Sequence, residues 1–381
     1  MGRPVTQEVD MSVEFIGMLN ANGLSESRQP RGPAIDKAYL AAIAQAHEHA
    51  GFDRALIGYF SVGPDGFQVA SFAAAQTRKL KFLLAHRPGF VAPALAARQL
   101  ATLDHFSDGR LAVHIITGGD DAEQEKEGDF LDKEQRYQRT DEYLDVVRKV
   151  WTHDIPFDHD GPHYRVKGAF TPIKPVQKPT IPIYFGGSSA TAIQVAAKHA
   201  DVYALWGESL AQVRETVNAV RTAAAAHGRQ SKIRFSLSLR PIIADTEADA
   251  WKKAERILDA AKALQARSAV YAAPKSAPQN VGSQRLLAAA AQGKVLDKRL
   301  WTEIAALTGA KGNSTALVGT PEQVTESLLD YHDAGISTFL IRGFDPLEDA
   351  LQYGRELIPL VRAEVERRAA QPRTLDAVGQ N

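Results

Sequence analysis

Eight short apolar runs, alternating with segments of helical spacing, constrain this chain more than any other feature. The runs lie at 13–19, 55–57, 80–85, 110–116, 181–185, 201–205, 234–243 and 338–341. Helical spacing covers 35–50, 69–76, 93–106, 136–151, 191–198, 210–226, 248–263, 321–334 and 347–367. Such alternation implies a parallel sheet, because each helix is the crossover that returns the chain to the start of the next strand. Eight repeats predict an α/β fold of the (β/α)8 TIM-barrel kind. An open doubly wound sheet would carry a glycine-rich dinucleotide fingerprint after its first strand. Here that strand runs into Asn20-Ala21-Asn22-Gly23-Leu24-Ser25-Glu26-Ser27, which lacks one.

Three stretches interrupt the alternation, near 120–134, 153–178 and 264–314. They read as insertions in one domain spanning 1–369, followed by a polar tail at 370–381. The first is acidic and follows the fourth strand, which places it on the barrel face where active sites form. The second, with FDHDGPHYRVKGA, reads as a hairpin. The third is long enough to act as a lid.

Composition narrows the function. There are 45 basic and 45 acidic side chains, so the basic excess expected of a nucleic-acid binder is missing. No stretch approaches the ~20 apolar residues of a membrane helix. The first residues have no apolar signal-like centre, so the cytoplasm is the expected location. Cysteine is absent, which removes thiolate nucleophiles and cysteine-held metals. His47 and His49 diverge on a helix, and His153, His159 and His163 have no recognised ligand spacing, so no metal is expected. No GxSxG motif is present.

The most informative local sequence is Tyr184-Phe185-Gly186-Gly187-Ser188-Ser189, between a strand and a helix. It suits a phosphate held by helix N–H groups, and equally a tight turn with a serine N-cap. Thr117 ends the fourth strand, His86 and Arg87 the third, and Trp206 the sixth. Ser238 and Arg240 lie two apart on the seventh strand and so face one side, inward if Leu237 and Leu239 pack outward. Arg240 needs an anionic partner there, either a structural carboxylate or a ligand.

The stretches AHRPGFVAPALAARQLATLDHFSDGRLAVHIITGGD, FLDKEQRYQRTDEYLDVVRKVW, IPIYFGGSSATAIQVAAKHADVYALWGES and STALVGTPEQV together resemble the bacterial-luciferase-like monooxygenases that use reduced flavin. Within them the nearest likeness is to the alkanesulfonate monooxygenase group. The resemblance implies FMNH2 delivered by a separate NAD(P)H-dependent flavin reductase, O2 as co-substrate, and cleavage of a carbon–sulfur bond to sulfite and an aldehyde-type product. It also implies a homodimer. It places the FMN phosphate on Gly187, Ser188 and Ser189 with Tyr137, and the flavin ring near Thr117. Lys133 stands where the family often has histidine.

The substrate side departs from that pattern. Gly63 stands at the family's cysteine, Asn22 at a histidine, Ser238-Leu239-Arg240 at Arg-x-His, Phe344 at a tyrosine, and Lys311 near an arginine. Trp206 is retained. The resemblance gives Arg240, Trp206 and Asn22 as catalytic candidates, and Asn20, Ser238, Arg240, Lys311 and Phe344 as substrate contacts. Polar groups in such a pocket favour a polyhydroxylated sulfonate, and a branch of the group desulfonates sulfoquinovose. The alternatives are a simple alkanesulfonate, a sulfone or alkane as substrate, and a non-catalytic flavin- or sugar-binding barrel.

Overall fold

The structure is a computed structural model and describes residues 12–29, 32–267, 277–312 and 315–370. The expected tail at 370–381 lies outside the described residues except Ala370. In chain order the first half contains β1 (Glu14–Leu19), α1 (Lys37–His49), β2 (Arg54–Ile57), α2 (Gly66–Gln76), β3 (Lys81–His86), α3 (Pro93–Phe106), β4 (Leu111–Ile115), α4 (Asp121–Glu125), α5 (Lys133–Thr152), β5 (Phe157–Asp160) and β6 (Arg165–Ala169). Then come β7 (Ile183–Gly186), α6 (Ala190–His199), β8 (Val202–Trp206), α7 (Leu210–Ala225), β9 (Arg234–Ile243), α8 (Glu247–Arg267), α9 (Val281–Gln292), β10 (Val295–Leu296), β11 (Leu300–Trp301), α10 (Glu303–Thr308), β12 (Ala316–Gly319), α11 (Pro321–Asp333), β13 (Thr338–Ile341), α12 (Pro346–Glu356) and α13 (Ile358–Ala370).

Eight parallel strands close the barrel in the order β1-β2-β3-β4-β7-β8-β9-β13, with β13 returning to β1. These are the eight apolar runs. The hairpin expected in the second insertion is β5–β6, an antiparallel pair outside the barrel.

Two features differ from the sequence reading. The last long helix is two helices, α12 and α13, that meet at Leu357. Pro359 has no N–H to give to the preceding turn, so it is tolerated only in the first turn of a new helix. The third insertion begins later than position 264, because α8 continues to Arg267. It contains α9, β10, β11 and α10, while 268–276 and 313–314 lie outside the described residues. It ends in β12, which pairs in parallel with the far half of β9, Arg240 to Ile243. The near half of β9 pairs with β8 and β13. Arg240 therefore sits where β9 leaves the barrel wall.

Alternation within each strand separates two cores. Phe15, Leu19, Leu84, Val113, Phe185, Leu237, Leu239, Phe339 and Ile341 pack outward against the helices. Ile16, Leu83, Ala112, Tyr184 and Val202 form a separate apolar plug inside the barrel. The next inward positions toward the strands' C-terminal ends include Ala85, Gly186, Ala204 and Ser238. His114 stands at the same level, 3.8 Å from the Cβ position of Gly186. No helix among the described residues is long and apolar enough to cross a membrane.

Helix starts follow local chemistry. Asp36, Asp65, Asp132, Ser189, Ser209 and Thr320 each accept a first-turn N–H, and three of them complete capping boxes. Gly17 lets α1 approach β1, since a Cβ there would lie 1.9 Å from His47 Cδ2. His47 is fully packed and bonded to the Ile43 carbonyl at 2.7 Å, so it has little room to yield. Gly17→Ala should cost about 1–3 kcal/mol through overpacking. Urea denaturation should show this as a lower midpoint with unchanged slope.

Candidate active site

The strands' C-terminal ends carry two polar groups on opposite sides of the barrel mouth. The first lies at β7. Gly187 has φ +140°, and a Cβ there would fall 2.8 Å from both Ala192 Cβ and Tyr137 Oη. Glycine is required by both conformation and space. Ser189 caps α6 by accepting the Ala192 N–H at 3.2 Å, which leaves the N–H groups of Ala190 and Thr191 directed out of the helix end. Tyr137 hydrogen-bonds Ser189, and burial pushes its phenol pKa up despite that bond. Tyr203 donates to the Gly187 carbonyl and fixes the turn from below. Lys133 opens α5, one turn before Tyr137. Glu134 accepts from Thr191 Oγ1 at 3.0 Å, so the turn also has an acidic neighbour.

Thr117 is buried and donates to Thr140 Oγ1 at 3.4 Å. His86 faces outward, bonded to Tyr143 Oη at 2.7 Å, and burial lowers its pKa to about 4. It supports the wall and does not enter the mouth. Arg87 lies over the Tyr59 ring at 4.5 Å and pairs with Glu123 and Glu127 at 3.7 and 3.4 Å. Asp121 and Asp129 pair with Arg136 and Arg139. The acidic stretch after β4 is thus tied down by arginines from β3 and α5.

The second polar group lies across the mouth. Arg240 lies two residues beyond Ser238 on β9, where β12 replaces the barrel neighbours, and is 1% exposed. Its Nε and Nη2 donate to the carbonyls of Arg342 and Gly343 at 3.1 and 2.7 Å. Its Nη1 lies 2.8 Å from the Glu26 carboxylate, and Arg342 Nη2 lies 3.0 Å from the other Glu26 oxygen. Arg240 therefore has a structural carboxylate partner in this state. Beside this group lies a small pocket, open to solvent, whose lining includes Asn20, Ser25, Glu26, Arg240 and Arg342.

Other sequence candidates fall differently. Phe344 is 3% exposed in an apolar cluster with Ile242, Trp301 and Val318, and the Arg240 guanidinium lies 3.6 Å above its ring. It supports Arg240 and does not line the cavity. Lys311 is exposed, next to Gly312, whose Cβ position lies 3.8 Å from Arg342 Nη2. Asn22 donates to the Ala34 carbonyl at 3.1 Å within its own loop. Trp206 packs against Gly282, where a Cβ would lie 3.2 Å from the indole. The start of α9 thereby covers the rim. Arg285 is bound to Glu208 and Glu215.

Sequence reasoning missed Glu26, Arg342 and His114. Arg342 continues the alternation of Thr338 and Leu340 on β13 and could have been found by it. Glu26 is on a loop, where no periodicity applies. His114 is paired in register with Ala85 and Tyr184, its Nδ1 is buried without a partner among the described residues, and burial lowers its pKa to about 4. Asp141, Asp145 and His199 could in principle meet one metal ion, but Lys198 Nζ already lies 2.9 and 2.8 Å from the two carboxylates.

A family model for luciferase-like monooxygenases matches residues 15–338. The chain belongs to the luciferase-like monooxygenase family. Among solved structures it is similar to a riboflavin lyase, RcaE, crystallised with modified FMN and riboflavin (TM-score 0.76, 21% identity, covering 93% of this chain and 92% of that one). It is also similar to DmoA from Hyphomicrobium sulfonivorans (TM-score 0.73, 22% identity, 95% and 89% covered). A third likeness is to the long-chain alkane monooxygenase LadA (TM-score 0.72, 21% identity, 94% and 92% covered). At these identities the structural likenesses establish the barrel fold and leave the substrate open.

Glu26 makes stability pH-dependent. Burial alone would raise its pKa, but Arg240 and Arg342 outweigh burial and hold it at about 2, against 4.5 for a free carboxyl. A folded-state pKa below the unfolded value gives stability that is complete above pH 4.5 and disappears as pH falls toward 2. The shift corresponds to on the order of 3 kcal/mol. Wild type should therefore exceed Glu26→Gln in stability at pH 7, and the gap should narrow below about pH 4.5 in urea denaturation across that range.

Proposed function

We propose that this monooxygenase takes reduced FMN from a separate NAD(P)H-dependent reductase and cleaves the C–S bond of a polar organosulfonate. Sulfoquinovose or a similar polyhydroxylated sulfonate is the favoured substrate. The observation that carries this reading is the convergence of Arg240 and Arg342 on one carboxylate at the barrel mouth. A planar guanidinium pair suits an oxoanion with several acceptor oxygens, and lysines would not reproduce that geometry. An alkane or neutral sulfone would gain nothing from two cations drawn out of water.

The residues present fit FMN. The Gly187 cradle, Ser188, Ser189 and the start of α6 would hold its phosphate, with Tyr137 alongside. The flavin ring would lie by the small inward residues above the plug, where the Nδ1 of His114, without a partner among the described residues, would offer it a polar contact. Bound reduced flavin supplies the two electrons that activate O2. The protein's own tasks are to hold the sulfonate, orient its carbon and exclude water. Asn20 and Ser25, which line the pocket, would meet substrate hydroxyls together with Ser238 on β9, and the start of α9 with Trp206 would shield the rim. One oxygen of O2 ends on the carbon and the other in water, while the C–S bond breaks with its electron pair on sulfite. A homodimer and a cytoplasmic location are part of the same proposal.

The enzyme with a flavin reductase should release sulfite in proportion to oxygen consumed, fastest with polyhydroxylated sulfonates. Oxygen consumption on a sulfone or alkane, with no sulfite from any sulfonate, would favour the family's other substrates. The Ser188→Ala/Ser189→Ala variant should lose about 1–3 kcal/mol of FMNH2 affinity, measured by anaerobic titration. Unchanged affinity would move the phosphate elsewhere.

A further inference from the structure

The anion at the arginine pair comes from the chain itself. Glu26 is on the loop between β1 and α1, and both of its carboxylate oxygens lie within 3.0 Å of a guanidinium nitrogen. The two sides of this contact are built differently. Arg240 is fixed by two backbone carbonyls and by the Phe344 ring beneath it. Glu26 stands on a turn closed by backbone bonds between Ser25 and Arg28, and its carboxylate accepts one hydrogen bond, from Arg342 Nη2 at 3.0 Å. Its side chain is 20% exposed, and its Oε2 contacts Arg240 Nη1 at 2.8 Å without the angle of a hydrogen bond. Arg240 is preorganised by groups that stay in place, whereas the Glu26 carboxylate is held by the two guanidiniums themselves.

We propose that Glu26 is a built-in stand-in for the substrate's anionic head group, holding the place between Arg240 and Arg342 until a singly charged sulfonate exchanges with it. This rests on the sulfonate reading above and adds the device that sets its selectivity. Two guanidiniums so close together are costly without an anion between them. Exchange of one monoanion for another keeps the charge balance, so Glu26 can swing into the adjoining cavity or solvent when a sulfonate arrives. A neutral analogue cannot take its place, because Glu26 would leave two cations facing an uncharged group. Glu26 thus selects for charge by competition, which contact residues alone would do less sharply. It also lowers every anion's apparent affinity in proportion to the fraction of time that it leaves the site free.

The test uses methanesulfonate and its neutral analogue methanesulfonamide with flavin-free enzyme, followed by calorimetry. Wild type should bind methanesulfonate weakly and methanesulfonamide not at all. Glu26→Gln should bind methanesulfonate at least about tenfold tighter, as expected when a competitor occupying more than about nine-tenths of the sites is removed. Arg342→Met in that background should reverse the gain. A crystal of the wild-type chain soaked in methanesulfonate gives an answer that needs no variant to fold. It should show sulfonate oxygens between the two arginines and Glu26 turned away. Equal affinity of wild type and Glu26→Gln, or sulfonate bound with Glu26 still in place, would overturn the proposal. Neither readout depends on turnover. Methanesulfonate binding that displaces Glu26, in an enzyme that releases no sulfite from any sulfonate, would refute desulfonation and leave the exchange standing.

Discussion

Closure of the barrel by parallel pairing is the constraint on which everything else depends. Once β13 returns to β1, every strand must send alternate side chains inward and outward. The outward set anchors the helices, and the inward set is divided along the strand axis. Below, Ile16, Leu83, Tyr184 and Val202 fill the interior. Above, the inward positions include Ala85, Gly186, Ala204 and Ser238, with His114 beside Gly186. The two polar groups stand beyond this interior, at the strands' C-terminal ends, where the loops can reach them.

The two polar groups at the mouth arise from different local devices. The β7–α6 turn uses backbone: a glycine with no tolerance for a Cβ, and helix N–H groups with a serine cap. Its helix N–H groups carry partial positive charge without placing a full positive charge at the mouth. The arginine group uses side chains, and it stands where β9 changes partners from the barrel to β12. That fork brings the carbonyls of Arg342 and Gly343 and the ring of Phe344 around one guanidinium. Arg240 can be buried only because those carbonyls and Glu26 replace its water.

The acidic segment after β4 shows how composition can mislead at a mouth. Its carboxylates do not make the site acidic, because Arg87, Arg136 and Arg139 face them. Net charge and local charge runs describe the chain, whereas the field at the site depends on which charges fold together.

The sequence by itself determined the barrel, the glycine-serine turn between β7 and α6, and the shared face of Ser238 and Arg240 on β9. These follow from periodicity and nearest-neighbour chemistry, which act over a few residues and do not need the fold. It also contained the signal for Arg342, two positions beyond Leu340. Only the tertiary structure decided what Arg240 faces. Glu26 is more than 200 residues away along the chain, on a loop with no period, and reaches the pair because β1 closes against β13. The same holds for Phe344, which the closing strand directs under the guanidinium instead of into the cavity. Side-chain direction within a strand is local, but the partner a charge meets is set by closure, and no spacing in the sequence encodes it.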